Sequence, residues 1–98
     1  MKVKNLKRTC SGYPSQWEFV TDGGRNAYVR YRWGYLSVRV SVEAGGEAVW
    51  LGIEILGRQL DPDGVDGVLD WSEVLKLIKP IHVENTLKSL CQNEEEAP

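Results

Sequence analysis

Five carboxylates fall between residues 61 and 73: Asp61, Asp63, Asp66, Asp70 and Glu73. Oxygen ligands of this kind suit a hard divalent cation. The calcium loop of a helix–loop–helix hand asks for D-x-D-x-D-G, an apolar residue two places after the glycine and a bidentate glutamate six places after it. Counted from Gly67, the residues Asp66, Leu69, Asp70 and Glu73 meet those requirements, while Asp61 and Asp63 sit one place early, with Val65 as an insertion. The segment ahead of the loop reads as strand and not as an entering helix. The set is therefore a candidate calcium site (Ca2+) in a strand–loop–helix setting. The competing account is a plain Asp/Gly/Pro loop whose last acids, Asp70 and Glu73, favour a helix N-terminus.

A second constellation is cationic and aromatic: Tyr28, Arg30, Arg32, Tyr35, Arg39 and Trp50, with Ser37 among them and Glu18 and Glu54 at the sides. Tyr, Trp and Arg dominate the hot spots of protein interfaces. Arginine over an aromatic ring contributes roughly 0.5–1 kcal/mol at an exposed site. The same side chains can stack bases and hold phosphates, but a formal net charge of -2 argues against nucleic acid. The set reads as a docking surface for a protein partner or for a second copy in a homodimer. The plain alternative is a solvated sheet face held by cross-strand pairs.

No catalytic arrangement accompanies them. His82 is the single histidine, so neither Cys10 nor Cys91 stands out as half of a Cys–His pair. No phosphate-cradling glycine motif occurs; turns account for the glycines. The chain is expected to be a binding protein and not an enzyme.

The totals set the frame for both surfaces. Ninety-eight residues make one modest core with little room for a deep cleft. No apolar run reaches the roughly 20 residues that span a bilayer, and no apolar stretch follows the N-terminal lysines, so no membrane partner and a cytoplasmic location are expected. Two distant cysteines in no metal spacing read as reduced thiols. Residues 1–15 read as an irregular lead-in to a single domain over 1–98, and residues 93–98 as an acidic tail.

The elements that position the cationic set are strands. Trp17–Thr21 stops at Asp22-Gly23-Gly24, a turn signal. Alternation runs through Ala27–Arg32 and again through Tyr35–Val42, with its parity reversed at Trp33-Gly34. A two-residue hairpin there sets Arg32 opposite Tyr35, Tyr31 opposite Leu36, Val29 opposite Val38 and Ala27 opposite Val40, which gathers every apolar pair on one face. A loop at 22–24 adds Phe19 opposite Ala27 and Trp17 opposite Val29. A second two-residue loop at Gly45-Gly46 would set Val42 opposite Val49, Val40 opposite Leu51, Val38 opposite Ile53 and Leu36 opposite Ile55. The apolar face must be covered. Trp71, Val74, Leu75 and Ile78 form a helical stripe after Asp70 or Ser72 as cap, with Asp70 and Glu73 in capping-box spacing. Pro80 ends that helix, and Val83, Leu87, Leu90 and Cys91 continue in a second. The expected fold is α+β: a four-stranded antiparallel β-meander with two C-terminal helices packed on one face.

Pro14-Ser15-Gln16-Trp17-Glu18, Asp22-Gly23-Gly24-Arg25 and Tyr28-Val29-Arg30-Tyr31-Arg32-Trp33-Gly34-Tyr35-Leu36-Ser37-Val38 resemble a group of small uncharacterised bacterial and phage proteins. Their pattern runs C-P-S-Q-W-E-G-x-T-x-D-G-R-x-x-Y-x-R-Y-R-W-G-x-L-x-V. The likeness covers mainly residues 10–40, with an echo at Asp66-Gly67-Val68-Leu69, and departs at Tyr13, where the pattern has Cys, and at Phe19, where it has Gly. It implies a shared fold unit and a setting on mobile elements, and it brings no activity.

Overall fold

The computed structural model describes residues 1–10, 15–63 and 69–95. The described residues form β1 (Lys4–Cys10), β2 (Ser15–Val20), β3 (Asn26–Arg32), β4 (Tyr35–Val40), β5 (Ile53–Gln59), α1 (Trp71–Ile78) and α2 (Val83–Glu95). The strands lie side by side in chain order as one antiparallel sheet. The α+β class is as expected, but with five strands where alternation gave four.

The central hairpin follows from its turn. Trp33 and Gly34 both take positive φ, 55° and 72°, as a type I′ turn requires. All four predicted pairs across it form, from Arg32 with Tyr35 to Ala27 with Val40. On the other side of β3, Trp17 pairs with Val29 and Phe19 with Ala27. The loop there closes through the Thr21 amide on the Arg25 carbonyl at 2.9 Å, with Gly24 at φ 82°.

This register puts Trp17, Phe19, Ala27, Val29, Tyr31, Leu36, Val38 and Val40 on one face, all buried. The same core takes Val74 and Ile78 from α1 and Val83 and Leu87 from α2, so both helices cover that face. Trp71 begins α1 with its ring 5.6 Å from that of Trp17 and 5.9 Å from that of Phe19, within the range of favourable edge and tilted aromatic contact. Asp70 stands at the N-cap with extended backbone, yet its side chain makes no capping hydrogen bond. Among the described residues no helix is long and apolar enough to cross a membrane.

Two expectations at the edges of the sheet are corrected. The lead-in expected over 1–15 contains β1, paired with β2 through two irregularities in register. Its sequence, Lys-Asn-Leu-Lys-Arg-Thr-Cys, lacks clean alternation because an edge strand tolerates charge and bulges that an inner strand does not. The predicted Gly45-Gly46 hairpin does not form. Residues 41–52 make a longer connection, and β5 pairs with β4 in another register: Val40 meets Ile53, Val38 meets Leu56 and Leu36 meets Arg58, with a bulge beside Arg39.

The physical reason lies in Ser41. Its amide donates to the Asn26 carbonyl at 2.8 Å, and its hydroxyl accepts from the Asn26 amide and donates to the Glu43 carbonyl. Gly45 donates to the Gly24 carbonyl at 3.0 Å. The chain leaving β4 is thus tied to the β2–β3 turn and cannot fold straight back.

Candidate groove on the open sheet face

The second face of the sheet carries the polar residues in rows set by the strand pairing. One row runs Lys7, Glu18, Tyr28, Arg39, Glu54 across all five strands. Its charges alternate in sign around the tyrosine, which favours the pairing. Next to it lies the row Gln16, Arg30, Ser37, Gly57, and beyond that Arg32, Tyr35, Gln59. Tyr28, Arg30, Arg32, Tyr35 and Arg39 therefore share one face, as the sequence pattern requires.

The connection 41–52 divides that face. Asn26 donates from Nδ2 to the Gly46 carbonyl at 2.7 Å, and Arg39 donates from Nη2 to the Gly52 carbonyl at 2.9 Å. Glu47 accepts the amides of Val49 at 2.6 Å, Trp50 at 2.9 Å and Leu51 at 2.8 Å. Burial works to raise the Glu47 carboxyl, but those three amides and the neighbouring Arg39 outweigh it and hold the group below the ordinary carboxylate range. Arg39 is thereby committed to the connection. Between the connection and β1–β2 lies a hollow of about 430 Å³, bordered by Asn5, Lys7, Glu18, Asn26 and Glu47.

Trp50 is displaced from its expected position. The changed β4–β5 register removes it from the sheet face and places it on the turn that Glu47 holds, where it is 83 % exposed.

The other half of the face is open. Arg30, Arg32, Trp33, Tyr35, Ser37 and Gln59 line a groove of about 390 Å³. Each wall has a local cause. Tyr35 lies against Gly57: a β-carbon there would stand 1.9 Å from the Tyr35 hydroxyl, so only glycine lets the ring settle. The hydroxyl donates to Glu54 Oε2 at 3.3 Å. Burial, then the Glu54 charge and this hydrogen bond, push the Tyr35 phenol above its usual range. Gln59 donates from Nε2 to the Trp33 carbonyl at 3.0 Å and to the Asp61 carbonyl at 2.5 Å. Trp33 is 54 % exposed, and the Arg32 guanidinium lies 5.5 Å from its ring centroid.

The groove is short of acceptors. Neither Arg30 nor Arg32 has an ion-pair partner among the described residues, and the Arg30 Nε is buried without a hydrogen-bond partner. The Arg39 Nε is also unsatisfied, but that side chain is already bonded to the connection. Glu54 is engaged by Tyr35. The arrangement suits an anion: two neighbouring positive charges, the Ser37 hydroxyl and an aromatic wall.

Of these residues, Trp33 and Gln59 were not among the candidates. The turn assignment for Trp33-Gly34 concealed Trp33, although a tryptophan at a position needing positive φ was the available signal. Gln59 follows only from the β5 register.

The carboxylates of the candidate calcium site fare differently. Asp61 Oδ1 accepts the Asp63 amide at 3.1 Å, a local turn contact. Asp70 is exposed at the start of α1, and Glu73 accepts from Lys76 Nζ at 3.4 Å. Asp66 lies outside the described residues. Among the described residues no three carboxylate, imidazole or thiol groups gather around a common point.

Comparison with known proteins finds no matching protein family, no similar curated sequence and no similar solved structure. The groove must be read on its own chemistry.

Proposed function

We propose that this chain is a small binding protein, not an enzyme, that holds an acidic segment of a partner protein in the groove of Arg30, Arg32, Trp33 and Tyr35. One observation carries the reading: two arginines that have no ion-pair partner among the described residues share an open groove, and the neighbouring Glu54 carboxylate is taken up by the Tyr35 hydroxyl. Arg30 is half-buried with its Nε unsatisfied, a cost that an incoming anion lowers, and the exposed Arg32 beside it adds a second positive charge. Charge also chooses between the two occupants expected for this face. A second copy set groove to groove would bring four unpaired guanidinium groups together, so the partner is a different, acidic chain. The edges of the sheet favour face docking as well. β1 is charged and irregular and β5 carries a bulge, features that discourage pairing with another strand.

The test is anisotropy of a labelled hexaglutamate peptide titrated with the full chain, alongside its native mass. Wild type is expected to bind the peptide with an affinity that falls as salt rises, and to remain one copy per complex. The double substitution Arg30→Ala/Arg32→Ala is expected to abolish binding while the fold, read by circular dichroism, stays intact. Equal binding by the folded double variant would refute the proposal.

A further inference from the structure

Resting on that reading, we infer that the group recognised inside the groove is a phosphate monoester on the partner segment, held between Arg30 and Arg32. Charge and donor count both favour a phosphate. Arg30 and Arg32 are two residues apart on one strand face, so their Cα atoms are separated by roughly 6.6 Å, and their side chains line the same groove. A phosphomonoester carries about −1.5 to −2 charge near neutral pH and offers three acceptor oxygens. A single carboxylate brings one charge and leaves one arginine unmatched.

The donors available are likewise those of an oxyanion site. The two hydrogens of Gln59 Nε2 are spent on the Trp33 and Asp61 carbonyls, and the Tyr35 hydroxyl is spent on Glu54. What remains is the terminal nitrogens of the half-buried Arg30 guanidinium, the exposed Arg32 guanidinium and the hydroxyl of Ser37, which pairs with Arg30 across the strands. Arginine forks match phosphate oxygens in bidentate fashion. The Trp33 ring fixes Arg32 from one side, which gives a physical use to a bulky residue held at φ 55°.

The experiment is a nitrogen–proton NMR titration of the full chain with phenyl phosphate, with benzoate, hexaglutamate and an oligothymidylate as separate arms at matched ionic strength. Phenyl phosphate is expected to shift the side-chain Nε–Hε signals of Arg30 and Arg32 and the amide of Ser37. Its affinity is expected to exceed that of benzoate by about tenfold, in keeping with one further charged hydrogen bond. It is expected to weaken as pH drops through the second phosphate ionisation near 6, a step benzoate lacks. Arg30→Lys is expected to remove most of the preference.

Equal affinity for benzoate, or shifts outside the groove, would overturn the phosphate assignment. If hexaglutamate alone binds the groove, acidic docking stands and the phosphate assignment fails. If none of the four binds there, both fail. Tighter binding of the oligothymidylate than of phenyl phosphate would replace the protein partner with single-stranded nucleic acid and overturn both.

Discussion

The Arg32 guanidinium rests 5.5 Å from the ring centroid of Trp33, its neighbour in the chain, and this contact exists because Trp33 takes a left-handed backbone conformation at the tip of the β3–β4 hairpin. An asparagine would occupy the same position with less strain. Trp33→Asn is therefore expected to raise stability by about 0.5–1 kcal/mol, read as a higher denaturation midpoint at unchanged slope. The same variant is expected to weaken hexaglutamate binding by about threefold, the loss of one exposed cation–π contact. A variant that gains stability and keeps full affinity would remove Trp33 from the groove's function.

Gly34, the second turn residue, is constrained from two sides. Its φ of 72° disfavours a side chain, and a β-carbon would stand 2.6 Å from the Asp61 carbonyl oxygen. That carbonyl is backbone and cannot step aside. Gly34→Ala is expected to cost about 2 kcal/mol or more, from the left-handed penalty plus the clash, measured by urea unfolding. It is also expected to disturb the bonds from Leu60 and Asp61 to the Gly34 carbonyl.

Arg25 shows which part of a polar contact carries stability. Its Nε donates to both carboxylate oxygens of Glu84, at 3.0 and 3.2 Å, and its Nη1 donates to the carbonyls of Ser41, at 3.0 Å, and Val42. Glu84 is mostly exposed, so solvent screens the ion pair. The coupling energy in an Arg25→Ala/Glu84→Ala double-mutant cycle is expected to be about 0.5 kcal/mol. Arg25→Ala alone is expected to cost about 1–2 kcal/mol, because the carbonyls of the β4–β5 connection lose their donor.

The turn that displays Trp50 depends on one carboxylate. Glu47 is held below its ordinary range, so its contribution is present at neutral pH and is lost as pH falls through the depressed folded-state value. Below the ordinary carboxylate range, near 4.5, the amides of Val49, Trp50 and Leu51 are expected to lose their protection from solvent exchange, measured against the intrinsic rate at each pH. Glu47→Gln should show low protection already at neutral pH and no further loss on acidification. Slow exchange of these amides in the glutamine variant would show that other contacts hold the turn.

Much of this was legible in the residues themselves. The parity change at Trp33-Gly34 determined the β3–β4 register, because only one alignment puts Val29, Tyr31, Leu36 and Val38 on a common face. The helical stripe Trp71, Val74, Leu75, Ile78 located α1 for the same reason. The β4–β5 register was not legible. Apolar residues at 49, 51, 53 and 55 keep alternating whichever of them begins the strand, and the deciding bonds, those of Ser41 to Asn26, join residues distant in sequence. β1 was hidden by its charges. The groove was half visible: alternation placed Arg30, Arg32 and Tyr35 together, but it could not separate them from Arg39, which the connection claims through Gly52. Trp17, Tyr31, Leu36 and Val38 are buried, so at these positions the residue types are set by the core.

An anion settles between Arg30 and Arg32 in the proposed binding mode. Amide and arginine side-chain shifts followed during a hexaglutamate titration test it most directly. The account predicts perturbations confined to residues 30–37 and 57–59, with Arg39, Lys7 and Lys79 unmoved, and their disappearance in Arg30→Ala/Arg32→Ala. Perturbations centred on the N-terminal lysines or on Arg39, with Arg30 and Arg32 silent, would contradict it.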